Sequence, residues 1–224
     1  NGCEMTDEII IGNSNGPTIA FTNGTGCVGQ EISLTDNSTS NDGSAMSDWT
    51  WFVDGVQEGT GSTINYTALS EGAKTVKLIA ETGVGCIDSV EQNINVNPSP
   101  VAAYPVLTGC LNESFDFTES STISSGSVDG FKWVFPDASE STSQTPSYVF
   151  TSSGNNNVKL VVTSDLGCQD SITQINTVYN PPTSDFTAFP VCGGADTLIQ
   201  DLSFIGDAVI TSYEWTIEGV VDNT

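Results

Sequence analysis

FKWVFPDASESTSQTPSYVFTSSGNNNVKLVVTSDLGC, residues 131–168, alternates apolar and polar side chains in three runs: Phe131, Trp133, Phe135; then Tyr148, Phe150; then Val158, Leu160, Val162. A period of two lines up alternate residues on one face of a strand, so each run reads as a strand with one buried face. Just upstream, Phe115 and Phe117 extend the pattern. The stretch TSSGNNN (151–157), like ESSTISSGSVDG (119–130) and DNSTSNDGSAMSD (36–48), is rich in residues that supply turn geometry and local hydrogen bonds. These stretches are expected to be loops, and no window of the chain has a helical period.

On either side of this stretch the same landmarks recur. Trp51, Trp133 and Trp215 are 82 residues apart (133 − 51 = 82; 215 − 133 = 82). In step with them stand Phe21, Tyr104 and Phe186; Cys27, Cys110 and Cys192; and Asp36, Glu119 and Asp201. Tyr66 and Tyr148, Gly72 and Gly154, and Cys86 and Cys168 also match, with Cys3 as the trace of an earlier copy. Repeat one carries its own alternation: Ile32, Leu34; Trp49, Trp51, Val53; Ile64, Tyr66; Val76, Leu78, Ala80. Trp49, Phe131 and Tyr213 precede the three tryptophans by two residues and are expected to share their core face. Self-similarity at domain length means a tandem array. The expected divisions are a remnant at 1–13, repeat one at 14–97, repeat two at 98–180 and the start of a third at 181–224, with the natural protein running on in both directions. Seven or so short strands per repeat, with a buried Trp on the third, predict an all-β fold of tandem Ig-like β-sandwiches of about 82 residues.

Composition narrows the function. There are 28 acidic residues, four lysines (Lys74, Lys77, Lys132, Lys159), and no arginine or histidine, for a net charge of −24. Nucleic-acid binding is excluded, because phosphate contacts need Lys or Arg to displace counterions. Without His there is no conventional triad or imidazole base, and without Arg no bidentate clamp for phosphate or carboxylate. Paired carboxylates could serve a glycosidase, but among 28 acids a close pair says little. The chain is expected not to be an enzyme.

The residues carry a family resemblance. FTESS…GFKWVFPDA…SYVFTSSGNNNVKLVVTSDLGCQDSITQINTV resembles a PKD domain, whose third strand reads W-D-F-G-D-G and whose later strands read Y-x-F-x-x-x-G-x-Y-x-V-x-L. Trp133, Phe135 and Asp137 keep the pattern, and Pro136 and Ala138 replace its glycines. The form with a Cys before the second strand and Gly-Cys-x-Asp-Ser opening the last is similar to repeats of giant surface and gliding-type adhesins of Bacteroidetes. That resemblance implies export by type IX secretion and an extracellular or bacterial cell-surface location. It also implies O-glycan acceptors of the Asp-Ser/Thr-apolar kind at Ser89, Ser171 and Thr197.

The cysteines Cys3, Cys27, Cys86, Cys110, Cys168 and Cys192 have spacings that imply disulfides in an oxidising compartment. The usual Ig bridge would need sulfur near Leu34 and Leu78, and neither is Cys. Cys27 falls in the first turn, at one end of a sandwich, and Cys86 past the last turn at the other, too far apart for one bridge. In a linear array the favoured pair is therefore Cys27 with Cys168, across a repeat junction. A bridge within a repeat, and free or intermolecular thiols, remain the alternatives.

Calcium is the cofactor expected, if any. Asp36, Asp42 and Asp88 in repeat one, and Glu119, Asp129, Asp165 and Asp170 in repeat two, are hard oxygen ligands on loops at one end of a sandwich. The other reading is that these acids cap turns. Two functions fit. The first is the shaft of a secreted adhesin or cell-surface filament used in attachment, gliding or prey capture. Its partners are neighbouring repeats, further copies of the chain, and a cell-surface or glycan target bound elsewhere in the protein. The second is a carbohydrate-binding accessory segment of a secreted polysaccharide-degrading enzyme.

Overall fold

The computed structural model describes residues 16–41, 43–189, 198–206, 209–217 and 220–222, and these contain strands and turns but no helix. In repeat one the strands are β1 (Phe21–Asn23), β2 (Gly26–Cys27), β3 (Glu31–Asp36), β4 (Met46–Val53), β5 (Val56–Thr60), β6 (Thr63–Thr67), β7 (Gly72–Thr82) and β8 (Ile87–Asn97). One sheet is ordered β1-β3-β6 and the other β2-β8-β7-β4-β5. Repeat two has β9 (Thr108–Cys110), β10 (Ser114–Asp116), β11 (Val128–Val134), β12 (Glu140–Ser141), β13 (Ser147–Val149), β14 (Gly154–Ser164) and β15 (Gln169–Tyr179). Its sheets are β10-β13 and β12-β11-β14-β15-β9; the five-stranded sheet has the same order as in repeat one, and the smaller sheet has two strands, without a counterpart of β1. The remaining strands are β16 (Phe186–Ala188) with β17 (Ile199–Asp201), and β18 (Trp215–Ile217) with β19 (Val220–Asp222). The architecture is that of tandem β-sandwich repeats.

Each sandwich closes on the residues that alternate. Ile32, Leu34, Trp51, Val53, Val76, Leu78 and Ala80 form one buried cluster; Phe115, Phe117, Trp133, Phe135, Phe150, Val158, Leu160 and Val162 belong to the other. Burying an aliphatic or aromatic side chain of this kind contributes ~1.5–3 kcal/mol, so these faces drive folding. Trp49, Phe131, Ile64, Tyr66 and Tyr148 are half-buried and packed against the clusters, whereas Tyr213 is 40% exposed. In all three copies the aromatic of the opening segment meets the tryptophan edge-on: Phe21 with Trp51 at 5.3 Å, Tyr104 with Trp133 at 5.0 Å, and Phe186 with Trp215 at 5.8 Å between centroids. Such contacts place the positive ring edge on the negative ring face.

The indole N–H groups of Trp51 and Trp133 are satisfied identically. Trp51 Nε1 donates to the Gly61 carbonyl at 2.8 Å and Trp133 Nε1 to the Ser143 carbonyl at 3.0 Å, ten residues on in both cases. Two different hairpins achieve this. Asp54 and Gly55 (φ +49° and +82°) make a two-residue turn, and a bulge at Trp51/Phe52 takes up the spare residue of β5. In repeat two a three-residue turn ends at Ala138 (φ +64°) without a bulge. Both bring the residue eight positions on, Gly59 or Ser141, opposite the tryptophan.

The strands are not all short. β7, β8, β14 and β15 each have 11 residues and pair as continuous hairpins. The end of TSSGNNN is therefore strand rather than loop: Gly154–Asn157 pair with Ile175–Val178. Asn156 occupies a buried position because its side-chain amide donates to the Ser152 and Gly154 carbonyls, while Asn155 and Asn157 face solvent. Met46–Asp48 and Val128–Gly130 likewise lengthen β4 and β11 into stretches expected to be loops. The chain divides into two compact units, one of residues 1–99 with 123–126 and 166–168, the other of 100–122, 127–165 and 169–224.

Candidate functional site: the cysteine turns

Cys27 lies in β2, which pairs in parallel with β8 through Gly26↔Val96 and Cys27↔Asn97. The parallel approach needs glycine beside the cysteine, because a Cβ on Gly26 would overlap the Ile32 side chain. Beyond Cys27 the chain turns tightly: Val28 N donates to Asn97 O (3.0 Å), Gly29 N to Ala68 O (2.9 Å), and Gln30 N to Cys27 O (3.1 Å). Gly29 takes the left-handed conformation (φ +78°) that this turn requires. The half-buried sulfur so presented is bonded to Cys168, with 5.7 Å between the Cα atoms. Cys168 is fully buried and follows the left-handed Gly167, and residues 166–168 group with the first unit.

The alternative of a bridge within a repeat is closed by geometry. Cys27 sits beside Asn97 at one end of β8, and Cys86 immediately precedes Ile87 at the other. The 11 residues between them (97 − 86 = 11) span about 37 Å of strand, against about 5.5 Å between bridged Cα atoms. Cys110 beside Tyr179 and Cys168 before β15 repeat the arrangement. Cys110 is a free thiol of intermediate exposure, and Cys86 is exposed to a similar degree. Cys3 and Cys192 lie outside the described residues.

Among the described residues, which leave out Asp42 of the expected calcium set, no three Asp, Glu or Cys side chains form a group suited to a metal ion. Asp36 Oδ1 instead accepts from the backbone N–H of Ser38 (3.0 Å) and from its hydroxyl. Glu119 accepts from Ser121 N (2.8 Å) and Gln144 Nε2 (2.8 Å), and Asp201 from Ser203 N (3.0 Å). In each copy the capped serine hydroxyl then accepts a backbone N–H of the opening segment, at Ala20, Ala103 and Asp185. The repeating acid is thus a turn cap that pins the opening segment of its repeat, and the Asp-x-Ser or Glu-x-Ser spacing at the repeat offset is the signal for it. Asp170 Oδ2 accepts Ala102 N (2.8 Å), and Asp88 Oδ1 accepts Ser89 N (2.7 Å). Asp129 and Asp165 are exposed, and Asp42 lies outside the described residues.

Ser89 on β8 and Ser171 on β15 are both exposed; Thr197 lies outside the described residues. Three lysines are already matched by acids: Lys132 with Glu140 at 2.8 Å, Lys77 with Glu91 at 3.6 Å and Lys74 with Asp54 at 3.7 Å. Ser139 donates to Asp137 Oδ1 through its hydroxyl (2.6 Å) and N–H (3.0 Å), which holds that carboxyl below the usual range. Burial first, then the facing Asp137, pushes the Tyr148 hydroxyl up. Burial likewise raises Tyr104, whose hydroxyl donates to the Val158 carbonyl and accepts Gln174 N at 3.1 Å. These hydrogen bonds tie turns and strands of repeat two to one another.

Residues 95–179 match the PKD domain family. Among solved structures, the chain is similar to the PKD1 domain of Vibrio anguillarum Epp, at 29% identity and a TM-score of 0.35, over 37% of this chain and 96% of that one. It is similar to the fibronectin(III)-like modules of Clostridium thermocellum CbhA, at 13% identity and a TM-score of 0.35, over 72% and 95%. Three N-terminal domains of the bacteriophage RB49 outer capsid protein Hoc are similar at 14% identity and a TM-score of 0.40, over 93% and 78%. No curated protein matches the chain. The match places residues 95–179 beside one PKD domain, and the paired sheets of the two complete repeats give the chain an Ig-like β-sandwich architecture; a disulfide of this kind is typical of extracellular and cell-surface proteins.

Proposed function

We propose that the chain is a segment of the shaft of a secreted adhesin or cell-surface filament, in which serial sandwiches supply length and display a binding tip carried elsewhere in the protein. The observation that carries this reading is the repetition of one structural unit, with the same order in the five-stranded sheet, the same edge-on aromatic pair and the same tryptophan hydrogen bond in both complete copies. A disulfide between residues 141 positions apart suits an extracellular shaft, because it limits how far the chain between the two cysteines can extend if a sandwich opens under load. The Bacteroidetes-type export route belongs to the same proposal and rests on the resemblance of the Cys-containing motifs. The carbohydrate-accessory alternative draws no support from Trp51 and Trp133, which are wholly buried and cannot stack on a sugar. Immunogold labelling of intact cells with antibody to residues 98–180 tests the shaft. Label on filaments projecting from the envelope is expected. Label confined to a soluble polysaccharide-degrading enzyme, with retention of the fragment on its insoluble substrate, overturns it.

A further inference from the structure

We propose that Cys110 is the thiol of a second bridge of the same kind, and that its partner is the cysteine of a Gly-Cys-x-Asp-Ser turn in the repeat that follows. Cys27 provides the internal comparison, because the turn that carries Cys110 reproduces the bonded one hydrogen bond by hydrogen bond. Gly109 and Cys110 pair in parallel with Val178 and Tyr179 as Gly26 and Cys27 pair with Val96 and Asn97. Leu111 N donates to Tyr179 O (2.8 Å), Asn112 N to Phe150 O (3.2 Å), and Glu113 N to Cys110 O (3.2 Å), matching the three hydrogen bonds after Cys27. Asn112 takes the left-handed φ (+67°) that Gly29 takes, although only asparagine and aspartate among residues with a Cβ visit it readily. Gly109 is sterically required like Gly26, since a Cβ there would lie 2.8 Å from Phe115 Cζ.

Distances along the strands show which thiols cannot be the partner. Cys168 is taken by Cys27, and it stands 11 residues (179 − 168 = 11) along β15 from the position beside Cys110, about 37 Å away. Cys27 reaches forward by one repeat to a buried cysteine on the turn that opens the last strand. By the 82-residue period the thiol related in that way to Cys110 falls 82 residues beyond Cys168, at 250. This inference rests on the reading of the chain as part of a longer array. Closure needs an oxidant, here a small-molecule or protein disulfide. The Cys110 thiolate attacks that disulfide and releases one thiolate; the partner thiolate then attacks the Cys110 sulfur, forming the bridge and releasing the second. Two thiol protons pass to solvent or to the released thiolates, and the two electrons end on the donor, now a dithiol or two thiols. Repeated along an array, each cysteine turn would be linked one repeat onward.

Non-reducing peptide mapping of the protein from its native source tests this, after blocking free thiols with iodoacetamide at low pH. The Cys110 peptide is expected to be joined to a Gly-Cys-x-Asp-Ser peptide of the following repeat, and the link should vanish in Cys110→Ser while Cys27–Cys168 persists. Quantitative alkylation of Cys110, or a link from it to a cysteine of repeat one or two, overturns the proposal while leaving the shaft reading intact. A native protein with no further repeat overturns both, so the two failures are told apart.

Discussion

Trp49 and Trp51 stand two residues apart on the same side of β4 and differ in one bond. Trp51 Nε1 has the Gly61 carbonyl, whereas Trp49 Nε1 is buried without an acceptor among the described residues. Trp51→Phe strands that carbonyl, at a cost of about 1–3 kcal/mol, and leaves a void besides. Trp49→Phe removes an unsatisfied donor and installs the residue that repeat two already has at Phe131, so it should change stability by less than about 1 kcal/mol. Denaturant unfolding of the two variants checks this; equal losses would contradict it. A second expectation concerns acid. Asp137 is held below its ordinary range chiefly by the Ser139 hydroxyl and then by its N–H. A depressed carboxyl stabilises the fold above its unfolded value near 3.8, and the contribution is lost as pH falls through the lower folded value. Ser139→Ala should therefore raise the Asp137 midpoint in a carboxyl NMR titration, and an unmoved midpoint would remove the assigned cause. The core tryptophans were legible from alternation alone. Their acceptors were not, because a bond to a backbone carbonyl ten residues away leaves no side-chain signature.

At the scale of the element, the parallel pair β2–β8 and its copy β9–β15 decide where the cysteines point. Gly109 is held there by Phe115, which an alanine methyl would crowd at 2.8 Å. Gly109→Ala is expected to cost about 1–3 kcal/mol by forcing the ring or strand aside, whereas Gly126→Ala tests a different constraint, a left-handed φ of +88°. Thermal unfolding of Gly109→Ala in the Phe115→Leu background should recover part of the loss, since a smaller side chain can give way; no recovery would place the strain elsewhere. The Gly-Cys spacing and the strand faces were readable in sequence. The 11-residue lengths of β14 and β15 were not, since Asn and Gly at 154–157 have turn chemistry and become strand only through ten paired residues with β15. The repeating acid was visible as a position but left open between turn cap and calcium ligand, because a carboxylate on a loop serves either equally well until its neighbours are known.

For the whole molecule, the disulfide closes 141 residues of chain. The loop-entropy argument puts its effect at up to about 5 kcal/mol, lessened by structure in the reduced unfolded chain. Calorimetry with and without reductant should therefore show a lower first transition on reduction, while Cys110→Ser in residues 1–224 should leave the profile as it was. Superimposable scans on reduction would mean that the bridge does not stabilise the folded chain. By itself the sequence determined the all-β class, the repeat period, the buried face of each strand and the absence of any imidazole or guanidinium chemistry, because period-two alternation and composition act locally and need no knowledge of neighbours. The tertiary structure decided how long the central strands run, which acids are caps, and which cysteines meet. Those depend on pairing register and on the distance between strand ends in space, and residues far apart along the chain set both.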